Sequence, residues 1–237
     1  MMTDEKLLEI LENKLARLEA AEACRNLMGK YSYYHTAFRN NEYIDLWAKR
    51  DDDLLVMPWG SYHGFEGVKA CYLSDHGDRS DPAVYATLGG AVMMHEMDTE
   101  VLEVAEDAKT ARGCWLSQGH ETYVSREGGP TDFGKGEEAH AEWCWGKYQV
   151  DFILDADGQW RIWKLRLFPM FKAEYGTSWV EAEQPSPEDY SFVREAEMAA
   201  SMWTYSPTEL YPANEPEPPL PYRTYSEANL TFEEAGK

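Results

Sequence analysis

The chain predicts an α+β fold, with helices in its first third and an antiparallel sheet after them. Three observations carry that reading. Leu8, Leu11, Leu15 and Leu18 recur at alternating three- and four-residue spacing, which is a helical period. Four strand-length stretches, about 89–104, 109–125, 138–154 and 159–171, then follow one another with short links between most of them. The last two meet at Asp157-Gly158, a pair that tolerates the positive φ a hairpin turn needs.

Each element has its own warrant. Residues 4–38 are expected as one helix. Its leucine seam, with Glu and Lys between the leucines, is coiled-coil-like but too short to stand alone, so it is expected to pack on a neighbour. Asn40-Asn41 breaks the helix, and Glu42 to Ala48 resumes as a second one. Leu54 to Met57 is a short strand before Pro58, Gly64 to Leu73 a third helix, and Ser74 to Pro82 a polar loop. Gly128-Gly129-Pro130 and Gly134-Lys135-Gly136 mark a loop before the third sheet strand. In the last strand, alternation places Trp160 and Ile162 on one face and Trp163, Leu165 and Leu167 on the other.

Residues 173–237 change character, so the chain divides into a domain at 1–172 and an extension at 173–237. The extension reads as a short helix at about 187–203 and a Pro-Glu-rich arm, polyproline-like over 213–221. Trp203, Tyr205, Tyr211, Tyr222 and Tyr225 punctuate it. A free linker has no use for them, so the arm is expected to lie on the domain or on a neighbouring subunit, in a dimer or trimer.

Composition sets outer bounds. Of 237 residues, 43% are hydrophobic and 14% aromatic, enough for a large aromatic-rich core. A formal net charge of −21 opposes binding to nucleic acid or anionic lipid. No run approaches the roughly 20 apolar residues of a membrane span, and the first residues do not read as a secretion signal. Cys24, Cys71, Cys114 and Cys144 form no CxxC pair and are read as free thiols in a reducing, cytoplasmic setting. There is no phosphate-binding Gly loop, nucleophile elbow or HExxH, and six scattered histidines make no metal site, so neither cofactor nor metal is expected.

Candidate chemistry falls on four places. Tyr31 and His35 share a helix face at i, i+4, where a phenol can donate a proton and an imidazole can exchange one. They read equally as two amphipathic side chains at a core edge. His95 lies between Met93 and Met97 on one strand face, and Asp98, three residues on, falls on the other. Gln118, His120 and Thr122 share a face of the next strand, with Glu121 opposite, and the His120-Glu121 pair offers a base or mere surface polarity. Trp145, Lys147 and Arg166 fall on one face of the final hairpin, where a cation beside Trp can hold an anionic ligand group or a developing oxyanion. The competing reading there is a cross-strand Lys164–Asp151 pair with no ligand.

The ordered set resembles the NTF2-like (SnoaL-like) superfamily, a cystatin-like α+β cone with helices packed on a strongly bent sheet. Leu18 to Tyr31 resembles its first helix, Tyr43 to Trp47 its second and His63 to Val68 the start of its third. His95 to Asp98 resembles its pocket-lining strand, Ala111 to Trp115 the next, and Gly146 to Tyr148 with Asp157 to Ile162 the last two. The resemblance covers roughly residues 5–172 and includes bile-acid 7α-dehydratases, with scytalone dehydratase and ketosteroid isomerase further off. It implies a cone-shaped, mostly apolar pocket for a small molecule. The acid–base Tyr of the dehydratases falls on Tyr31 in one register and on His35 in another, and their Asp falls on Thr36 or Asn40. Of the two strand histidines, the first matches His95 and the second aligns with Asp98. The implied activity is a cofactor-independent lyase or dehydratase on a small hydroxylated aromatic or alicyclic metabolite. Trp115 and Asn40 join Trp145, Lys147 and Arg166 as expected substrate contacts. The alternatives are a non-catalytic binding or assembly subunit, or an isomerase of the same fold.

Overall fold

The computed structural model describes residues 2–75, 81–124, 139–185, 203–210 and 215–226. The Gly-rich loop before the third strand and the helix expected at 187–203, Trp203 aside, lie outside these residues. Helix α1 runs over Asp4–Thr36, and Thr3 caps it by accepting the Lys6 N–H at 3.3 Å. The helix ends where Phe38 turns to a positive φ of 56°. Asn40 does not break a helix but opens one, α2 over Asn40–Ile44. The second helix is therefore shorter than expected. Its continuation is captured by the sheet instead: Ala48 N–H donates to Ile162 O and Ile162 N–H to Leu46 O, each at 2.9 Å.

Strands β1 (Leu54–Met57) and β2 (Gly60–His63) form a small hairpin that feeds α3 (Gly64–Lys69). That helix widens into a π-helical turn over Ala70–Asp75, and a short α4 follows at Pro82–Tyr85. The expected strand at 89–104 is two strands, β3 (Val92–His95) and β4 (Asp98–Val104), split at Glu96-Met97. The expected strand at 109–125 likewise divides at Gln118 into β5 (Thr110–Ser117) and β6 (Gly119–Tyr123). Two fifteen-residue strands, β7 (His140–Leu154) and β8 (Trp160–Glu174), close the domain.

All eight strands join one curved, unclosed sheet in the order β2-β1-β8-β7-β5-β4, with β6 also on β7 and β3 on β6. The bend has a local cause. The β7–β8 register slips between Trp145 and Gly146, opposite Pro169, at the level where Ser117, at the end of β5, pairs with Gly146. A proline in a long inner strand is tolerated at such a bulge. The β7–β8 hairpin turns through Ala156-Asp157-Gly158, with Gly158 N–H on Asp155 O at 2.9 Å and Gly158 at φ 78°. Only Gly158 takes a positive φ, so the loop is a three-residue turn ending in a glycine bulge.

A second bulge corrects the expected facing of β8. Asp151 pairs with Lys164 and Phe152 with Ile162, which leaves Trp163 as an extra residue. Past it the alternation inverts, so Ile162, Leu165 and Leu167 all enter one core. That core also holds Ala20, Cys24, Met28 and Tyr31 of α1 against Trp115, Tyr148, Val150 and Phe152 of the sheet. Trp160 only packs against its margin, and the fully buried indole of this core is Trp47.

The other, convex face carries Arg112, Gln149, Asp151, Lys164 and Arg166. Residues of the C-terminal arm meet it. Lys147 Nζ donates to Glu215 O at 2.8 Å, Lys164 Nζ lies 2.9 Å from Tyr225 Oη, and the Arg112 guanidinium lies over the Tyr222 ring at 5.1 Å. The cysteines are all free, Cys24 and Cys71 buried and Cys114 and Cys144 half-buried. No helix among the described residues is long and apolar enough to cross a membrane.

One buried acid makes the fold sensitive to pH. Asp53 is 1% exposed and accepts the Arg50 N–H at 3.2 Å. Burial raises its carboxyl to about 7, against the opposing pull of that N–H and with the Asp52 charge adding. Its folded pKa exceeds the unfolded one, so ionising it costs stability as pH rises from about 4 to 7. Asp53→Asn is expected to stabilise the fold by up to about 4 kcal/mol at pH 8, and by less at pH 5.5. Urea unfolding at the two pH values checks this; an equal effect at both would show that charge is not the cause.

Candidate active site

The site lies where the C-terminal end of α1 crosses β3 and the flared ends of β6, β7 and β8. Tyr31 and His35 project from α1 one turn apart, with ring centroids 6.3 Å from each other and nearly parallel planes. Ser32, between them, donates its hydroxyl to His95 O at 2.6 Å and so fixes β3 against the helix. His35 Nδ1 lies 3.3 Å from Met93 O. A carbonyl only accepts, so that bond needs the proton on Nδ1 and leaves Nε2 as the basic nitrogen of the neutral ring. The His35 and His95 rings meet edge to face at 5.2 Å.

His95, 6% exposed, is held by Glu121, which lies on the face of its strand opposite His120. His95 Nε2 lies 2.9 Å from Glu121 Oε1. The other Glu121 oxygen accepts from Tyr123 Oη. Lys172 Nζ lies 3.0 Å from Tyr123 Oη, 3.4 Å from Glu121 Oε2 and 2.7 Å from Glu142 Oε2. Burial alone would raise the Glu121 carboxyl, but the Lys172 charge, the His95 bond and charge and the Tyr123 hydroxyl overcome it and hold the acid ionised. Burial pulls the Lys172 ammonium down, and Tyr123, Glu121, Cys144 and Glu142 more than restore it. An ionised carboxylate is acceptor-only, so His95 presents Nε2–H to it and keeps Nδ1 as its base. Gly119 leaves that edge clear: a Cβ there would sit 2.8 Å from His95 Nδ1 and would run into Cys144 O.

Below the imidazoles lies a knot of phenols. Tyr31 meets Tyr43 at a tilt with centroids 4.6 Å apart and Tyr148 edge to face at 5.5 Å, and the Tyr43 and Tyr72 hydroxyls are 2.5 Å apart. Burial raises the pKa of all four phenols well above the usual range, so they remain hydrogen-bond donors at neutral pH. The π-helical turn delivers Tyr72 to this knot, and Asn40 Nδ2 donates to Tyr72 O at 2.7 Å. Asn40 thus supports the turn.

The structure brings Tyr31, His35 and His95 together and separates them from the other expected residues. Asp98 pairs with Leu116, on the side of β5 opposite Trp115, so it faces away. His120 also turns outward and meets the Trp143 ring at 4.9 Å. Trp115 is 3% exposed and packs edge-on to Phe152, deeper in the core. Trp145, Lys147 and Arg166 lie on the convex face. Trp145 stacks on Phe171 at 5.4 Å, and the Arg166 guanidinium sits over Phe168 at 4.4 Å. Among the described residues one trio could offer a metal its ligands: His95, Glu121 and Cys144, whose donor atoms lie within 4.8 Å of one another. A cation there would have to displace the His95–Glu121 hydrogen bond beside the Lys172 ammonium, so the trio fits a metal poorly.

A family model described as a SnoaL-like domain matches residues 16–166. The chain belongs to the SnoaL-like family. No curated protein matches it. Solved structures similar to this SnoaL-like chain include a protein provisionally named scytalone dehydratase from Novosphingobium aromaticivorans, at 16% identity and a TM-score of 0.49, covering 70% of this chain and 93% of that one. An NTF2-like superfamily protein from Salmonella enterica has 11% identity and a TM-score of 0.47, covering 64% and 91%. A protein of the NTF2-like family from Streptomyces avermitilis, provisionally named a dehydratase, has 13% identity and a TM-score of 0.46, covering 65% and 98%. The family extends over both histidines, Glu121 and the phenols, while Lys172 lies just beyond the matched span.

Proposed function

We propose that the chain is a cofactor-independent acid–base lyase, a dehydratase of a small hydroxylated aromatic or alicyclic metabolite. The observation that carries this reading is the pair of imidazoles 5.2 Å apart, one anchored on a buried carboxylate. In the reaction, His95 Nδ1 removes a proton from carbon beside a carbonyl or aromatic group. The electron pair of that C–H bond moves into a new C=C bond through an enolate-like state. The C–O bond to the leaving hydroxyl then breaks, and protonated His35 or Tyr31 supplies the proton that lets it depart as water. Neutral phenols of the Tyr31, Tyr43, Tyr72 and Tyr148 knot donate hydrogen bonds toward the developing oxyanion.

Mass spectrometry of the full chain with a panel of hydroxylated cyclic ketones and phenols tests this. The expected result is loss of one water from at least one member. His95→Ala and His35→Ala are each expected to slow that loss by roughly a hundredfold or more, with their effects not additive. Binding of panel members with no conversion would favour a binding module, and conversion without loss of water an isomerase. Either result overturns the proposal.

A further inference from the structure

We infer that the N-terminal half of α1 is a dimerisation arm that pairs in parallel with the same segment of a second copy of this chain. Residues 2–16 are all exposed, and the helix first touches the domain through Asn13 Nδ2 on Glu106 O at 2.8 Å and Arg17 Nη2 on Val104 O at 3.0 Å. About two and a half turns of helix, Asp4 to Glu12, thus precede its first hydrogen bond to the body among the described residues. Leu8, Leu11, Leu15 and Leu18 are 56%, 53%, 56% and 69% exposed. At about 100° per residue, Asn13, Arg17, Ala20 and Cys24 define the body-facing side, and the leucines centre roughly opposite it. The chain's own domain therefore cannot cover the seam by settling onto it.

The seam fits a copy of itself. Its 3-4-3 spacing places Leu8 and Leu15 at one core position of a heptad and Leu11 and Leu18 at the other. In parallel register the flanking Lys14 of each copy meets Glu19 of the other, twice by symmetry. The antiparallel register instead brings Glu12 and Glu19 of the two copies to the same edge, and like charges there oppose pairing. Because the domains lie on the outer sides of the two helices, parallel pairing brings no collision between them. The helix needs no fresh nucleation either, since α1 is continuous with the buried segment to Thr36. The convex sheet face is the other broad surface, and there Glu215, Tyr222 and Tyr225 of the same chain already lie.

The test is sedimentation of the full chain at micromolar concentration. A dimer is expected. Leu11→Asp with Leu15→Asp should shift it to monomer, raising the dissociation constant at least a hundredfold, with unchanged near-ultraviolet circular dichroism. Lys14→Glu should weaken the dimer, and adding Glu19→Lys should restore it. Leu11→Cys should form an intermolecular disulfide under oxidation, because parallel pairing sets Leu11 beside its own counterpart. A monomeric full chain, a dimer indifferent to the Asp pair, or a Leu11→Cys dimer that does not crosslink would each overturn the inference.

Discussion

Glu121→Gln is expected to lower turnover of the proposed dehydration by two to four orders of magnitude, about the range a general base contributes. Gln fills the same volume, so the loss is one of charge and proton placement. The carboxylate accepts His95 Nε2–H and keeps the base on Nδ1. A Gln amide can donate as well as accept, so the imidazole is free to take the other tautomer, with its basic nitrogen turned away from substrate. The change also leaves Lys172 and Tyr123 without the negative charge they surround. Acid sensitivity gives a second readout. The Glu121 carboxyl is held below its ordinary range, so its contribution to stability is present above that range and is lost as pH falls through it. Glu121→Gln should therefore be less stable than the native chain at pH 7, with the gap closing toward acid. A rate within threefold of the native one would mean that His95 is not oriented by this acid.

Trp47→Ala should produce the largest loss of stability of any single truncation considered, about 3–5 kcal/mol. Trp47 is fully buried and sits at an isolated parallel bridge to Ile162, between the two backbone bonds that tie residues 46–48 to β8. Removing the indole leaves a cavity where helix, short hairpin and long hairpin meet, and none of the three can move in alone. Thermal unfolding should show a midpoint lower by roughly 10 °C, whereas a shift within two degrees would mean that the core repacks freely around the hole.

What the sequence conveyed of this molecule depended on whether a signal was periodic or positional. Leucine spacing and strand-length runs located α1 and the four sheet segments, because an apolar stripe along a helix and alternation along a strand each leave a period in the sequence. The break at Glu96-Met97 carries no Gly or Pro and so leaves no mark, and the one at Gln118 has only the single Gly119 beside it, too little to divide an otherwise strand-like run. The bulge at Trp163 was equally silent, yet it reverses every side chain after it, and this is why facing was read wrongly along β8. In the site, Tyr31 and His35 were legible from helical spacing. Glu121 was not, since nothing in a lone Gly-His-Glu-Thr stretch tells which neighbour of His120 faces His95. Register between β3 and β6, which sets Met93 opposite Glu121, is the missing fact, and register is a property of the assembled sheet.

The placement of β1 has a bearing on how the chain comes to be folded. Leu54 to Val56 pair in parallel with Lys164 to Arg166, so the first strand made finds its inner partner only in the last. Until then its only sheet partner is β2, a hairpin too small to persist by itself. During synthesis the helices and the middle strands must wait, with the Trp47 corner open, for more than a hundred intervening residues. Such long-range closure makes for slow acquisition of structure and a long exposure of apolar surface. Premature termination anywhere before β8 would accordingly yield an aggregating fragment rather than a smaller stable domain.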